Sequence, residues 1–319
     1  SFGNETCRPS IVDAVGCCRL AYSSASEMTQ MTKDQRIITL THGLCQMADE
    51  KQLVLYFAPP SSFSQKAVIA LKWLKLKYES KLVNLFECEQ LEPWYLDINP
   101  KGEVPTLVDG TLKLTDSVDI LQHLNDKYDT KRSEEKLIPN PVTPLGRQVA
   151  ELNQMLCTVK LFVLTFGVAF HPQHSRGSTL STEEAEGRRA FIDKCVKAVT
   201  EKRETARSPY KECYTYKLTK FTTGRAILTE ESSLLNEIAA TRDVLRKINE
   251  HLEKNPSGTW LLSNSLTVAD ITLTVILFRV RKLGLEHHFF EENGQPVLTS
   301  LAAYRDRAFA KPFMSESLV

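Results

Sequence analysis

The sequence predicts an α/β domain followed by an all-helical domain. Three observations carry this. A β-branched and aromatic run, Leu53-Val54-Leu55-Tyr56-Phe57, passes through a proline-broken turn into a helical pattern. Val104–Val108 and Leu112–Leu114 flank Asp109-Gly110, a strong hairpin signal. Beyond a polar stretch over 129–144, studded with Pro139, Pro141 and Pro144, the periodicity is helical.

In order, residues 1–50 form an N-terminal extension, partly mobile, rich in Ser, Thr, Cys and Met, with a short helix expected over Asp34 to Met47. Strand 53–57 leads to a helix over 64–77 through Val68, Ile69, Leu71 and Leu74, then to a second strand over Lys81 to Phe86. A helical turn at Leu91 to Leu96 precedes the hairpin, and Asp116-Ser117 opens a helix through Val118, Leu121 and Leu124. The order βαβ then ββα, over 51–130, is that of a thioredoxin-like domain. A linker follows at 131–144 and an all-helical domain at 145–319. In that domain the pattern predicts one long helix from Gly146 to Phe170, a charged helix from Thr182 to Arg207, an ambiguous segment from Tyr210 to Arg225 and an amphipathic helix from Glu230 to Leu252. Thr267, Asp270 and the preceding Leu266 make a capping box and staple ahead of a buried apolar helix.

Forty basic against thirty-nine acidic residues leave a net charge of +1, so bulk charge gives no ground for a nucleic-acid partner. The eight cysteines show no CxxC and no metal-ligand spacing with the seven histidines, so reduced thiols and no metal are expected. No run reaches the ~18 apolar residues of a membrane span; Leu161 to Phe170 and Val268 to Phe278 read as buried helices.

Three features of the α/β domain could converge on one ligand. Ser61 and Ser62 sit where a strand hands over to a helix, as caps or as hydroxyls beside an anion or thiolate. Pro105 enters a strand, and a cis Val104-Pro105 bond would turn the Val104 backbone towards an added peptide strand. Asp116-Ser117 opens a helix whose free N–H groups could hold a carboxylate. The segment 188–225 holds eleven basic and four acidic side chains, either a solvated helix face or a surface for an anionic partner.

These residues resemble the glutathione transferase superfamily over about 51–319, with Val104-Pro105 matching its cis-proline and Asp116-Ser117 its acidic-residue–Ser pair. Ser61, with Ser62 adjacent, matches the hydroxyl of the serine-type classes, and the turn holds no cysteine. A narrower resemblance, to the ganglioside-induced differentiation-associated protein 1 family, lies in Glu92-Pro93-Trp94, Asn99, Gly102–Pro105, His171-Pro172, Trp260-Leu261 through Asp270, and Arg279–Gly284. The charged insertion of that family corresponds to about 175–228.

The resemblance implies a glutathione transferase-like fold with a helical insertion. It implies glutathione held by Val104, Pro105, Asp116 and Ser117, with the sulfur near Ser61 and Ser62, and no metal. It implies a protein of the outer mitochondrial membrane, facing the cytosol and acting in mitochondrial dynamics and fission. Such a protein is a ligand-binding adaptor or sensor with weak or no transferase activity, and the alternative is an active serine-type transferase acting on hydrophobic electrophiles. Its expected partners are glutathione or a hydrophobic ligand, a cytosolic or membrane-surface partner through 175–228, and a second copy in a homodimer. The family carries a hydrophobic C-terminal anchor, so the parent protein is expected to continue past Val319.

Overall fold

The computed structural model describes residues 53–255 and 258–318. The extension over 1–50, its expected helix, and cysteines 7, 17, 18 and 45 lie outside the described residues.

The chain from Leu53 to Val319 forms one compact unit. Its α/β part holds β1 (Leu53–Phe57), α1 (Ser62–Trp73), β2 (Tyr78–Leu82), α2 (Pro93–Leu96), β3 (Thr106–Asp109), β4 (Leu112–Leu114) and α3 (Ser117–Tyr128). The sheet order is β2-β1-β3-β4, with β2 parallel to β1 and the other pairs antiparallel. Leu53 and Leu55 alternate inward on β1 and meet Ala67, Ile69 and Leu71 of α1 in the core. The hairpin loop is Gly110-Thr111, with Gly110 at φ +64°, the conformation a first loop position takes in a turn that follows strand twist.

Two boundaries differ from the sequence expectation. The first helix stops at Trp73 because Lys75 turns left-handed (φ +56°). Lys75 N–H then bonds Lys72 C=O, and Leu76 N–H bonds Leu71 C=O, which satisfies the orphan carbonyls. The second strand therefore begins earlier, at Tyr78, and ends at Leu82 rather than running from Lys81 to Phe86. Beyond it Asn84 caps a short 3₁₀ turn.

The helical part holds α4 (Pro144–Leu156), α5 (Leu161–Phe170), α6 (Thr182–Thr205), α7 (Tyr210–Thr229), α8 (Glu231–Lys254), α9 (Val268–Lys282), α10 (His287–Phe290), α11 (Thr299–Phe309) and α12 (Pro312–Ser315). A two-stranded ribbon, β5 (Glu291–Glu292) and β6 (Gln295–Pro296), precedes α11. The expected single helix over 146–170 is two helices. Buried Glu237 accepts from Lys160 N–H at 2.7 Å, and Thr158 Oγ1 donates to the Met155 carbonyl, so the ladder breaks at a β-branched pair. The ambiguous segment 210–225 is helical throughout.

Helix α9 is the hub of the main core: Ile271, Leu273, Val275, Ile276, Leu277 and Val280 are all buried, and α1 and α4 pack against it. The predicted capping box is present, and Asp270 does more than cap. Its carboxylate accepts from Thr267 N–H (2.9 Å), Thr267 Oγ1 (2.7 Å), Leu261 N–H (2.8 Å) and Tyr304 Oη (2.8 Å), which ties the entry loop and α11 to one buried point. Burial raises the Asp270 carboxyl above its ordinary range, against the pull of these four donors.

A second, smaller core lies where α6 and α7 pack back on the α/β part. Cys88, Leu91 and Leu96 meet Phe191, Ile192, Cys195, Val199, Tyr214 and Leu228. The described cysteines 88, 157, 195 and 213 are free thiols.

Replacing Asp270 with Ala strips four buried donors of their acceptor. This should cost about 3 kcal/mol or more of unfolding free energy, read as a lower denaturation midpoint at unchanged slope. A variant as stable as the parent would show that Asp270 is not the lock described.

Candidate functional site

Helix α1 starts at a turn built by serines. Ser61 is its N-cap, accepting from Ser64 N–H at 3.3 Å, and Ser64 Oγ accepts from Ala58 N–H at 3.3 Å. The cap uses the oxygen of Ser61 as acceptor and leaves its O–H proton available to a second partner. The hydroxyl of Ser62, buried at the first helical position, forms no hydrogen bond with any described residue.

Ser61 and Ser62 line a cavity of about 190 Å³ whose other walls are mostly apolar. Phe63, Phe86, Phe162, Phe166 and Phe191 surround it, so α1, α5, α6 and the loop after β2 all contribute. Two guanidinium groups also face it, Arg188 of α6 and Arg279 of α9, 2% and 1% exposed. Arg279 Nη2 donates to the Pro60 carbonyl at 2.6 Å, which fixes the turn that presents Ser61. Burial first, and the charge of Arg188 second, pull the Arg279 pKa down to about 9.

Val104 lies half-buried just before β3, and its bond to Pro105 is cis, as the sequence reading anticipated. Side chains from α2 and the turn after it shape this loop. Tyr95 Oη and Asn99 Nδ2 both donate to the Glu103 carbonyl, at 2.6 and 2.7 Å, and both reach Thr106 Oγ1 at 3.0 Å. Burial drives the Tyr95 phenol up to about 12, keeping it a donor. The Glu103 carboxylate pairs with Lys217 (3.0 Å) and Lys220 of α7. Burial alone would raise its pKa, but the two lysines outweigh it and hold Glu103 below the usual carboxylate range.

Asp116 is the N-cap of α3, accepting from Val118 N–H at 2.8 Å, and the next residue, Ser117, is buried. Ser117 lines a separate cavity of about 680 Å³ together with Lys66 of α1, Asn153 and Cys157. Lys66 is 8% exposed and burial lowers its pKa, opposed by Cys157 and Asp116. The predicted residues therefore fall into three places: Ser61 and Ser62 at the apolar cavity, Val104-Pro105 at the β3 entry, and Asp116-Ser117 at the larger cavity.

Sequence reasoning missed Lys66, Arg188 and Arg279. Arg279 carried a signal, a cation at the end of an apolar helix run, where arginine is rarely buried without a partner. Arg188 carried none, as one of eleven basic residues in its segment. The basic excess of 188–225 is largely spent inside the molecule. Lys194 pairs with Glu87 (2.7 Å), Lys202 with Glu92 (2.9 Å), Lys217 and Lys220 with Glu103, and Arg225 with Asp193.

Residues 55–132 match the glutathione S-transferase N-terminal domain and residues 233–307 its C-terminal domain. The chain is 26% identical over 273 residues to mouse (Mus musculus) ganglioside-induced differentiation-associated protein 1-like 1, covering 82% of this chain and 73% of the relative. Among solved structures it is similar to the beta-etherase LigF of Sphingobium sp. strain SYK-6, with TM-score 0.57 and 19% identity over 83% of this chain and 98% of the other. It is also similar to a glutathione transferase family member from Pseudomonas fluorescens solved with two glutathione bound. There the TM-score is 0.52 and the identity 14%, over 84% of this chain and 92% of the other.

Because the folded pKa of Glu103 lies below its unfolded value, its stabilisation is complete above the unfolded value of about 4.3 and fades as pH falls through the folded one. Glu103→Gln should cost roughly 1–2 kcal/mol at neutral pH, discounted for its partial exposure, and flatten the loss of stability below about pH 5. Denaturation midpoints across that pH range measure both effects, and an unchanged acid slope would remove Glu103 from the account.

Proposed function

We propose that this chain, glutathione S-transferase-like in both of its halves, is a glutathione-binding protein that holds a second, apolar ligand at its serine turn, with weak transferase activity. The observation that carries the reading is that Ser61 and Ser62 share one cavity with the rings of α5 and α6. A sulfur at the start of α1 would thus face an apolar ligand directly. The tripeptide would run past the Val104 backbone, and its γ-glutamyl carboxylate would meet the N–H groups at the start of α3, with Asp116 and Ser117 beside it. Solved proteins with this fold, among them the Pseudomonas fluorescens one, carry glutathione. No metal enters this reading.

The insertion is what separates this site from a plain transferase cleft. Helix α6 supplies Arg188 and Phe191 to the cavity wall, and α7 grips Glu103 next to Val104. That favours retention of a ligand over turnover of varied electrophiles. In keeping with the family resemblance of its sequence motifs, the protein would act at the outer mitochondrial membrane, as an adaptor or sensor in mitochondrial dynamics. A homodimer through the α3 face, where Val118 is 63% exposed, belongs to the same reading.

An active serine-type transferase is the second reading. The unpartnered Ser62 hydroxyl and the remaining donor capacity of Ser61 favour it, since either could lower a thiol pKa beside a helix N-terminus.

Calorimetric titration with millimolar glutathione should give a saturable heat that Ser117→Ala weakens about tenfold. No heat would sink the glutathione-binding reading. Conjugation of 1-chloro-2,4-dinitrobenzene should be slow in the parent. A fast rate that collapses in Ser61→Ala or Ser62→Ala would establish the second reading instead.

A further inference from the structure

Arg188 and Arg279 feel the charge of one carboxylate, Glu184, without pairing with it. Neither forms an ion pair within the described residues, and the Nε of each is buried without a partner. The Arg188 side chain makes no hydrogen bond with a described residue, and the Arg279 side chain makes only the bond to the Pro60 carbonyl. The hydrogen-bonding oxygens of Glu184 go instead to Lys282, at 3.1 Å, and to its capping bond with Ser181 N–H. Arginine is among the residues least often buried without a counter-charge, and two such groups on one small cavity raise the cost further.

Five phenylalanines make up most of the remaining wall, with Leu85, Leu161 and Thr165 between them. A cavity of about 190 Å³ exceeds the ~150 Å³ that accommodates benzene, so it suits a compact ring system whose edge reaches the cavity mouth. Aromatic rings pack against other rings in offset or edge-on geometries, and a planar guanidinium matches a carboxylate in a two-point fork.

We propose that the cavity beside Ser61 binds an aromatic carboxylate, its rings among Phe63, Phe162 and Phe191 and its charge on Arg188 and Arg279. This rests on the reading above only in taking the cavity as the place of the second ligand, and it names the chemical class of that ligand. Arg279 has two duties, holding the Pro60 carbonyl and facing the anion, so occupancy of the cavity acts directly on the turn that presents Ser61. Arg188 has no structural bond to lose, which makes it the residue to vary.

The test titrates the full chain calorimetrically with 2-naphthoate and with its neutral isostere 2-naphthamide. Naphthoate should bind about tenfold tighter or more, and Arg188→Gln should erase most of that preference while leaving naphthamide within about twofold. Arg188→Lys, which keeps the charge and loses the fork, should retain part of it. Thermal melts of Arg188→Gln should show a midpoint equal to or above that of the parent, since the variant removes an unpaired buried charge. Equal affinity of the parent for the two compounds would overturn the proposal, with the arginines then facing water only. So would a variant that weakens both compounds alike. Glutathione is titrated into the same samples. A naphthoate preference without glutathione heat leaves this inference standing and sinks the glutathione reading, and the reverse pattern does the opposite.

Discussion

The contact between Arg279 and the Pro60 carbonyl joins residues 219 positions apart and sets the geometry of everything near Ser61. The turn at 58–61 contains two prolines, so it has few N–H groups with which to bind itself to the sheet. Beyond its own Ser61 N–H to Ala58 bond, it is held by Ser64 Oγ on Ala58 N–H, by Gln65 Nε2 on the Pro59 carbonyl and by one arginine from a deeply buried helix on the Pro60 carbonyl. Helix α9 is in turn fixed by Asp270, whose four hydrogen bonds bring the 259–267 loop and α11 to its first turn. Position therefore passes from a buried carboxylate at one end of α9 to a buried guanidinium at the other, and from there to the serine turn. A rigid helix suits this task because its ends cannot shift independently without repacking the core between them.

The insertion joins the site through a different kind of force. Its apolar stripe is thin, and the small core around Cys195 and Tyr214 would be a modest anchor alone. Its cations add direction: Lys194, Lys202 and Lys217 each meet a carboxylate on the loop system between β2 and β3. Exposed pairs of this kind contribute little individually, and the one involving Lys217 differs because that side chain is only 3% exposed. The charged segment therefore reads best as a clasp over the α/β part. Its leftover cations, Arg189, Lys197, Arg203, Arg207 and Lys211, are what remains for an outside partner.

Local chemistry made much of this legible in the sequence. Strand β1, the hairpin at Gly110 and the Thr267–Asp270 box follow from period, turn residue and spacing, each confined to a few neighbours. The break between α4 and α5 did not follow, because its cause is Glu237, some 77 positions away from Lys160. The end of α1 is similar in kind: nothing marks Lys75 as the left-handed residue, a role glycine usually takes. Ser61, Ser62, Val104 and Ser117 could be picked out as candidates because their positions in the strand–helix order are distinctive. Lys66 and Arg188 could not be, since burial of a cation depends on what other elements bring over it, and charge in a sequence looks alike whether it faces water or a cavity.

That last point bears on why such cations persist. A fold under no functional demand would lose Arg188 easily, since a methionine there fills the same space without the desolvation cost. Burial lowers the pKa of both Arg188 and Arg279, so the folded chain gives up stability to keep them charged. Lys66 repeats the pattern at the larger cavity, again buried and again without an ion pair within the described residues. Three buried cations with no ion pair among the described residues, distributed over two cavities that flank the same helix, stand against only the more distant charges of Asp116 and Glu184. An anion entering either cavity recovers a cost already built into the fold, which is how a modest number of contacts can give selective binding.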